Sequence, residues 1–110
     1  MVQSTFPENQ SDAVTEDRFR HLVGQGWRIE ITCLASAQKR HANYFGQWVI
    51  CAISPDGDQL RRLVTARNLA DMRSFKTING LVSFLEELGI DAPHVPLRQG
   101  MRLPQSAHQE

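Results

Sequence analysis

The sequence predicts an α+β fold with two layers, in which a three-stranded antiparallel meander is covered by one main helix at 77–88. Three observations support this prediction. Apolar residues recur at helical spacing through 77–88. Two earlier segments, 27–36 and 44–54, have the patterns of strands. Between the second strand and a returning one lies SPDGD at 54–58, a strong turn signal. A short N-terminal helix completes the prediction, which also allows an extra C-terminal edge strand.

The chain has the length of one small domain. Its 110 residues are enough to bury a core without a disulfide or a metal ion. We expect 1–10 to be a flexible N-terminal segment, 11–100 to be a single α+β domain and 101–110 to be a flexible C-terminal tail, because both ends are polar and unpatterned. No apolar run approaches a membrane span and no secretory signal is visible, so the expected location is the cytoplasm.

The N-terminal half is predicted to form a helix at 12–23 and then a strand at 27–36. Acidic residues lie early in the helix, where the helix dipole favours them, and glycines follow its end. The strand alternates apolar and polar residues, and the break in phase at Leu34 indicates a bulge or the strand end.

The second strand, 44–54, is apolar on both phases, which is typical of a central strand. The returning strand, 60–67, carries arginines on both phases and is expected nearer an edge. After the main helix, 92–98 is extended, and its two prolines restrict it to an edge strand or an ordered coil.

The main helix has signals at both ends. Thr77 can cap its N-terminus, Gly89 suits a left-handed C-terminal residue, and Ile90 is placed to contact Leu85. Phe84 lies off the main apolar stripe. It is either exposed, and then a contact for a protein partner, or buried under the N-terminal helix, and then it carries no information about function.

No catalytic, cofactor or metal site is predicted. The four histidines show no metal-ligand spacing with one another or with cysteine. Cys33 and Cys51 lie on apolar phases of strands, so both are expected to be reduced and buried. Glu86 and Glu87 are about 100° apart on a helix and cannot line one cleft together. Asp56 and Asp58 lack the further ligands of a calcium loop, and Gly24-Gln25-Gly26 lacks the rest of a phosphate loop.

Charge is unevenly distributed along a chain whose formal net charge is zero. Residues 31–76 have a net charge of +4, between ends of −2 each. If the basic residues converge, they can contact a nucleic-acid backbone, with Tyr44 and Phe45 as stacking surfaces for single strands. The alternative is that they keep sheet edges from aggregating. The candidate nucleic-acid contacts are Lys39, Arg40, Arg61, Arg62, Arg67, Arg73 and Lys76.

Residues 48–90 resemble small accessory proteins carried on proteobacterial plasmids and mobile elements, some of the partition-associated type. The resemblance rests on a strand containing tryptophan, a Pro-Asp-Gly turn, a basic strand, and the segment RSFKTINGLVSFLEELGI at 73–90. It implies a small bacterial accessory protein that binds a partner and is not an enzyme.

Two functional hypotheses follow. The first is a non-enzymatic interaction protein that acts by protein–protein contact, as a homodimer or on a larger partner, in plasmid or mobile-element maintenance. The second is a nucleic-acid-binding regulator that uses the basic 39–76 surface. Neither hypothesis requires a cofactor, a membrane or a small-molecule substrate. A small enzyme is a third alternative, for which no nucleophile, base or metal set can be named.

Overall fold

The computed structural model describes residues 12–68 and 70–106. The flexible segment predicted at 1–10 lies outside them, as do the last four residues of the predicted tail. In chain order the elements are β1 (Ala13–Val14), α1 (Glu16–Gly24), β2 (Arg28–Arg40), β3 (Asn43–Ile53), β4 (Leu60–Leu63), β5 (Ser74–Thr77), α2 (Ile78–Glu87) and β6 (Arg102–Gln105).

The predicted meander of three strands under one helix is wrong. The described strands form one six-stranded mixed sheet in the order β1-β4-β3-β2-β6, with β5 also paired to β3. The antiparallel neighbours β2, β3 and β4 match the predicted meander, but short strands extend the sheet on both sides. Both helices pack on one face of this sheet.

One edge of β3 is paired with β4 and β5 in succession. Leu60 to Arg62 of β4 pair with Ile53 to Cys51, and Ser74 of β5 pairs with Val49. The intervening 64–73 loops out, and the amide of Arg73 bonds back to the carbonyl of Leu63 at 2.9 Å. The predicted returning strand at 60–67 is therefore too long, and the approach to the main helix is itself a strand.

The N-terminal helix begins later than predicted. Ala13 pairs with Arg62 in parallel, so 13–14 form an edge strand, and the helix begins at Glu16 instead of residue 12. This parallel pairing makes the sheet mixed.

The C-terminal edge strand is also misplaced in the prediction. It lies at Arg102–Gln105, within the segment predicted as a tail, and pairs with Ile29 to Thr32 of β2. The proline-containing segment at 92–98 forms no strand. Instead, the carbonyl of Pro96 accepts a 2.7 Å hydrogen bond from the buried indole nitrogen of Trp48, which fixes this coil against the sheet.

The core lies between the two helices and one face of the sheet. It contains side chains from both helices and four strands, with Trp48, Phe19, Leu81 and Leu85 fully buried. The predicted helix caps are confirmed. The Thr77 hydroxyl accepts from the Gly80 amide at 3.1 Å, Gly89 has a φ of +94°, and the Ile90 amide bonds to the Leu85 carbonyl at 3.0 Å.

Candidate nucleic-acid interface

The β2–β3 hairpin ends in a tip, residues 38–45, that reaches past the part of β2 paired with β6. Strand pairing continues to Arg40 and Asn43, which leaves His41 and Ala42 as a two-residue turn. All side chains of 38–45 are exposed. The tip contains no acidic residue, so its two cations have no acidic neighbour within this segment.

A cation accompanies an aromatic ring on each face of the tip. Lys39 pairs with Tyr44 across the strands, and paired residues lie on the same face of a sheet. Gln38 pairs with Phe45, and the guanidinium carbon of Arg40 lies 5.6 Å from the centre of the Phe45 ring. Both rings are solvent accessible, with Tyr44 43% and Phe45 37% exposed. The predicted stacking surfaces are therefore available to a ligand.

Strand β5 brings a third cation to the tip. Thr77 pairs with Phe45, so the preceding Lys76, which is exposed, lies beside the hairpin. Arg40 and Lys76 line one groove of about 290 Å³ together with Phe45. We call this the basic groove. Its remaining lining residues are Ala35, Ser36, Gln38, Gly46 and Gln47.

A second groove of about 290 Å³ is also lined by Phe45, and we call it the neutral groove. It has no charged lining residue. Its walls come from the hairpin and from the start of α2, and they are Ala42, Asn43, Tyr44, Phe45, Thr77, Ile78 and Asn79. Phe45 is thus common to a basic groove and an uncharged one.

The other predicted basic residues lie elsewhere. Arg62 pairs with Cys51, six residues along β3 from Phe45, which is about 20 Å at the rise of a strand. Arg61 lies beside it, 3.8 Å from an Asp12 carboxylate oxygen and 5.7 Å from the centre of the Trp27 ring. The seven candidates therefore do not form one continuous surface; of them, only Lys39 and Arg40 belong to the hairpin tip, and Lys76 lies beside it on β5.

Arg67 and Arg73 also lie away from the tip, the first on a loop and the second in an ion pair. Arg67 is exposed on the 64–73 loop, where it lines a shallow depression with Thr65 and Asp71. Arg73 is paired with a Glu16 carboxylate oxygen at 2.8 Å and lies 4.9 Å from the centre of the Phe84 ring. This ion pair takes Arg73 out of the predicted basic surface.

Phe84 is 4% exposed, so its predicted exposure is wrong and it carries no proposal for a protein contact. Its ring lies 5.2 Å from that of Phe75, and Arg20 of α1 lies over it at 5.5 Å. The other alternative, burial beneath the N-terminal helix, is the one that the structure shows. The sequence left both alternatives open because the start and direction of α1 were not evident from its own residues.

Neither cysteine has the lowered pKa of a reactive thiol. Cys33 is buried, and burial raises the pKa of its thiol. Burial, with a smaller contribution from Glu30, raises the pKa of Cys51 to about 11. Neither forms a disulfide. Across 12–68 and 70–106, no group of three or more His, Cys, Asp or Glu side chains is arranged to hold a metal ion.

Several residues of the interface could not be identified from the sequence. Asn79 and Ile78 lie more than 30 residues from the hairpin tip and reach it only because β5 pairs with β3. Asn43 lies between the two predicted strands 27–36 and 44–54, but nothing in its neighbours indicates a groove. No signal in the chain predicts this convergence, because it depends on pairing between distant segments.

No described helix has the length and apolar character needed to cross a membrane. Comparison with known proteins found no matching family model, no matching curated protein and no matching solved structure.

Proposed function

We propose that this chain is a non-enzymatic nucleic-acid-binding protein of the cytoplasm that contacts its ligand through the hairpin tip. One observation carries the proposal: the Arg40 guanidinium lies over the exposed ring of Phe45, and Lys39 and Lys76, which are also exposed, lie nearby on the hairpin and on β5. Cations beside accessible aromatic rings match the two features that nucleic acids present, which are charged phosphates and flat bases.

The zero net charge of the chain does not weaken this proposal, because local charge determines where a polyanion binds. No acidic residue occurs in 38–45 or in 74–79, the two segments that form the site. Elsewhere, some acidic residues are paired with arginines, as Glu16 is with Arg20 and Arg73. The hairpin tip thus keeps its positive charge available for a ligand.

The resemblance of 48–90 to plasmid and mobile-element accessory proteins agrees with a role linked to nucleic acids. On that basis we propose the maintenance of such an element as the biological setting.

Fluorescence anisotropy with a labelled, mixed-sequence DNA strand tests the binding. We expect log affinity to fall with log salt concentration with a slope of about −2, since three cations each contribute roughly 0.7 on a single strand. The triple variant Lys39→Ala/Arg40→Ala/Lys76→Ala should lose most of the affinity and most of this slope. No anisotropy change at low salt would refute the proposal.

A matched control separates the site from general charge. The variant Arg18→Ala/Arg67→Ala/Arg98→Ala removes the same charge from exposed positions outside the hairpin tip. We expect it to bind nearly as the parent protein does. Equal losses in both triple variants would show that binding follows total charge and not the hairpin tip.

A second candidate function is self-association through an aliphatic patch beside β2. Leu34, Leu97 and Met101 are each about 40% exposed. Backbone hydrogen bonds from Cys33 to Met101 and from Ala37 to Leu97 hold the patch together. These are three of the five exposed large hydrophobic side chains among the described residues.

We propose a second copy of the chain as the occupant of this patch, by side-chain packing and not by strand pairing. Pro104 has no amide hydrogen to offer along the outer edge of β6, which discourages strand addition there. Light scattering over a range of concentrations should show a dimer that Leu34→Asp/Met101→Asp converts to a monomer. A parent protein that is monomeric at every concentration contradicts this second function.

A further inference from the structure

We infer that the hairpin tip binds a single strand, with two consecutive nucleotides placed on either side of the Phe45 ring. This inference rests on the proposed function and specifies its ligand. In this arrangement one base occupies the neutral groove, and the phosphate that follows it lies against Arg40 and Lys76 in the basic groove.

Phe45 is shared by the two grooves at the hairpin tip. Phe45 is the one residue that lines both grooves, and it is 37% exposed. The two grooves have the same volume, about 290 Å³. A flat apolar ring between two equal recesses can separate two neighbouring bases and stack against one of them.

The two grooves differ in chemistry, so each suits a different part of a nucleotide. The neutral groove offers the Tyr44 ring for stacking and the amides of Asn43 and Asn79 for the polar edge of a base. The basic groove offers two cations, Arg40 and Lys76, and therefore suits a phosphate. A nucleotide presents both kinds of group within one unit.

A duplex fits this site less well than a single strand. Bases in a duplex are stacked on one another, so their faces cannot reach Tyr44 or Phe45. Duplex binding also draws its affinity from many phosphate contacts, commonly six to ten, whereas the tip and the neighbouring Lys76 together provide only three cations. The exposed rings supply binding free energy only to unpaired bases.

The base of the hairpin is held rigidly, which keeps the grooves preformed. Trp48, close below the tip, is fully buried and donates its indole hydrogen to the Pro96 carbonyl at 2.7 Å. Gly46 lies against this ring: a Cβ there would be 2.8 Å from a Trp48 ring carbon and 2.9 Å from the Ala35 carbonyl oxygen. The backbone beside Phe45 is therefore fixed by close packing, and less ordering is needed on binding.

The inference is tested by anisotropy with a labelled ten-nucleotide DNA strand, competed with the same sequence as a duplex and with inorganic polyphosphate. We expect the unlabelled single strand to compete at least tenfold better than either. The variant Phe45→Leu keeps apolar volume but removes the ring. It should weaken single-strand binding by about 5- to 150-fold and leave the salt slope unchanged.

His21→Ala is the matched control, because it removes an exposed ring on α1, away from both the tip and the aliphatic patch. It should bind as the parent protein does, and circular dichroism and thermal melting of both variants check that each is folded. The parent's single-strand binding itself tests the proposed function.

Two results overturn the inference while leaving the proposed function standing. One is equal competition by duplex or polyphosphate. The other is a folded Phe45→Leu variant with parental affinity, in a protein whose Lys39→Ala/Arg40→Ala/Lys76→Ala variant still loses binding. Absence of binding by the parent protein to every probe overturns both the inference and the proposed function.

Discussion

Arg73 donates a hydrogen bond to a Glu16 carboxylate oxygen at 2.8 Å, although 57 residues separate the two in the chain. The other Glu16 oxygen accepts from Arg20 at 2.6 Å, and Arg20 also meets Glu87 at 2.9 Å. Four alternating charges thus connect α1, the end of α2 and the start of β5, above the Phe84 ring. This network holds in place the strand that carries Lys76 to the hairpin tip.

Glu16→Gln should therefore destabilise the protein modestly. The side chains in the network are partly exposed, so we expect a loss of about 0.5–1 kcal/mol in the free energy of unfolding at pH 7, measured by urea denaturation. Asp17→Asn is the control, because Asp17 is exposed in the same turn of α1. An equal effect of the two substitutions would contradict a specific role for Glu16.

The contribution of this network to stability should depend on pH. The hydrogen bond from Arg20, followed by that from Arg73, holds the pKa of Glu16 below its ordinary value of 4.5. A carboxylate whose pKa is lowered by folding stabilises the fold above the unfolded pKa, and this contribution is lost as pH falls through the folded value. The difference in stability between parent and Glu16→Gln should therefore be present at pH 6 and shrink below about pH 4.5. A difference that stays constant down to pH 3 would contradict this account.

Gly46→Ala should destabilise the hairpin. The added Cβ would lie 2.8 Å from a Trp48 ring carbon and 2.9 Å from a backbone oxygen, closer than real contacts allow. Overpacking of this kind costs about 1–3 kcal/mol. Gly24→Ala is the control, since a Cβ at Gly24 meets nothing within 4 Å. In thermal melting, Gly46→Ala should have a lower midpoint temperature than the parent protein, and Gly24→Ala should not.

The sequence predicted the parts of this fold that depend on local pattern. The caps of α2 follow from Thr77 and Gly89, and the central position of β3 follows from apolar residues on both of its phases. The short strands were missed because two to four residues, one of them Pro104, give no strand pattern. Their existence depends on pairing with distant segments, which a local pattern does not encode.

The candidate site likewise contains some residues that the sequence indicates and one that only long-range pairing brings there. The cations and rings of 38–45 are neighbours in the sequence, so the hairpin brings them together and the sequence indicates them. Lys76 reaches them only through the pairing of Thr77 with Phe45. Arg61, Arg62, Arg67 and Arg73 were included because they are basic, and only the fold shows that they lie elsewhere.

Cys51 should react slowly with thiol reagents at neutral pH. Burial raises the pKa of its thiol to about 11, so little of the reactive thiolate exists at pH 8. Its alkylation rate in the folded protein should rise between pH 9 and pH 11, while the Cys51→Ala variant lacks this phase. Because the pKa is raised by folding, any stabilisation from Cys51 is present below pH 9 and declines towards pH 11. Rapid alkylation at pH 7.5 under native conditions would show that the thiol is accessible.

The turn of the hairpin contains one strained residue whose replacement should stabilise the tip. His41 has a φ of 57°, and no other described residue except glycine has a positive φ. The first central position of a two-residue hairpin turn with this conformation usually holds glycine. His41→Gly relieves strain of about 1–3 kcal/mol but adds backbone entropy worth about 0.5–1 kcal/mol, so it should raise stability by up to about 2 kcal/mol.

Ala42→Gly is the matched control for this last prediction. Ala42 does not have a positive φ, so glycine relieves no strain there and should lower stability by about 0.5–1 kcal/mol. Chemical denaturation of both variants gives the comparison. His41→Gly should also bind the ten-nucleotide strand with parental affinity, because the turn only positions Tyr44 and Phe45. A stable His41→Gly variant that binds tenfold more weakly would instead make the imidazole ring part of the nucleic-acid contact.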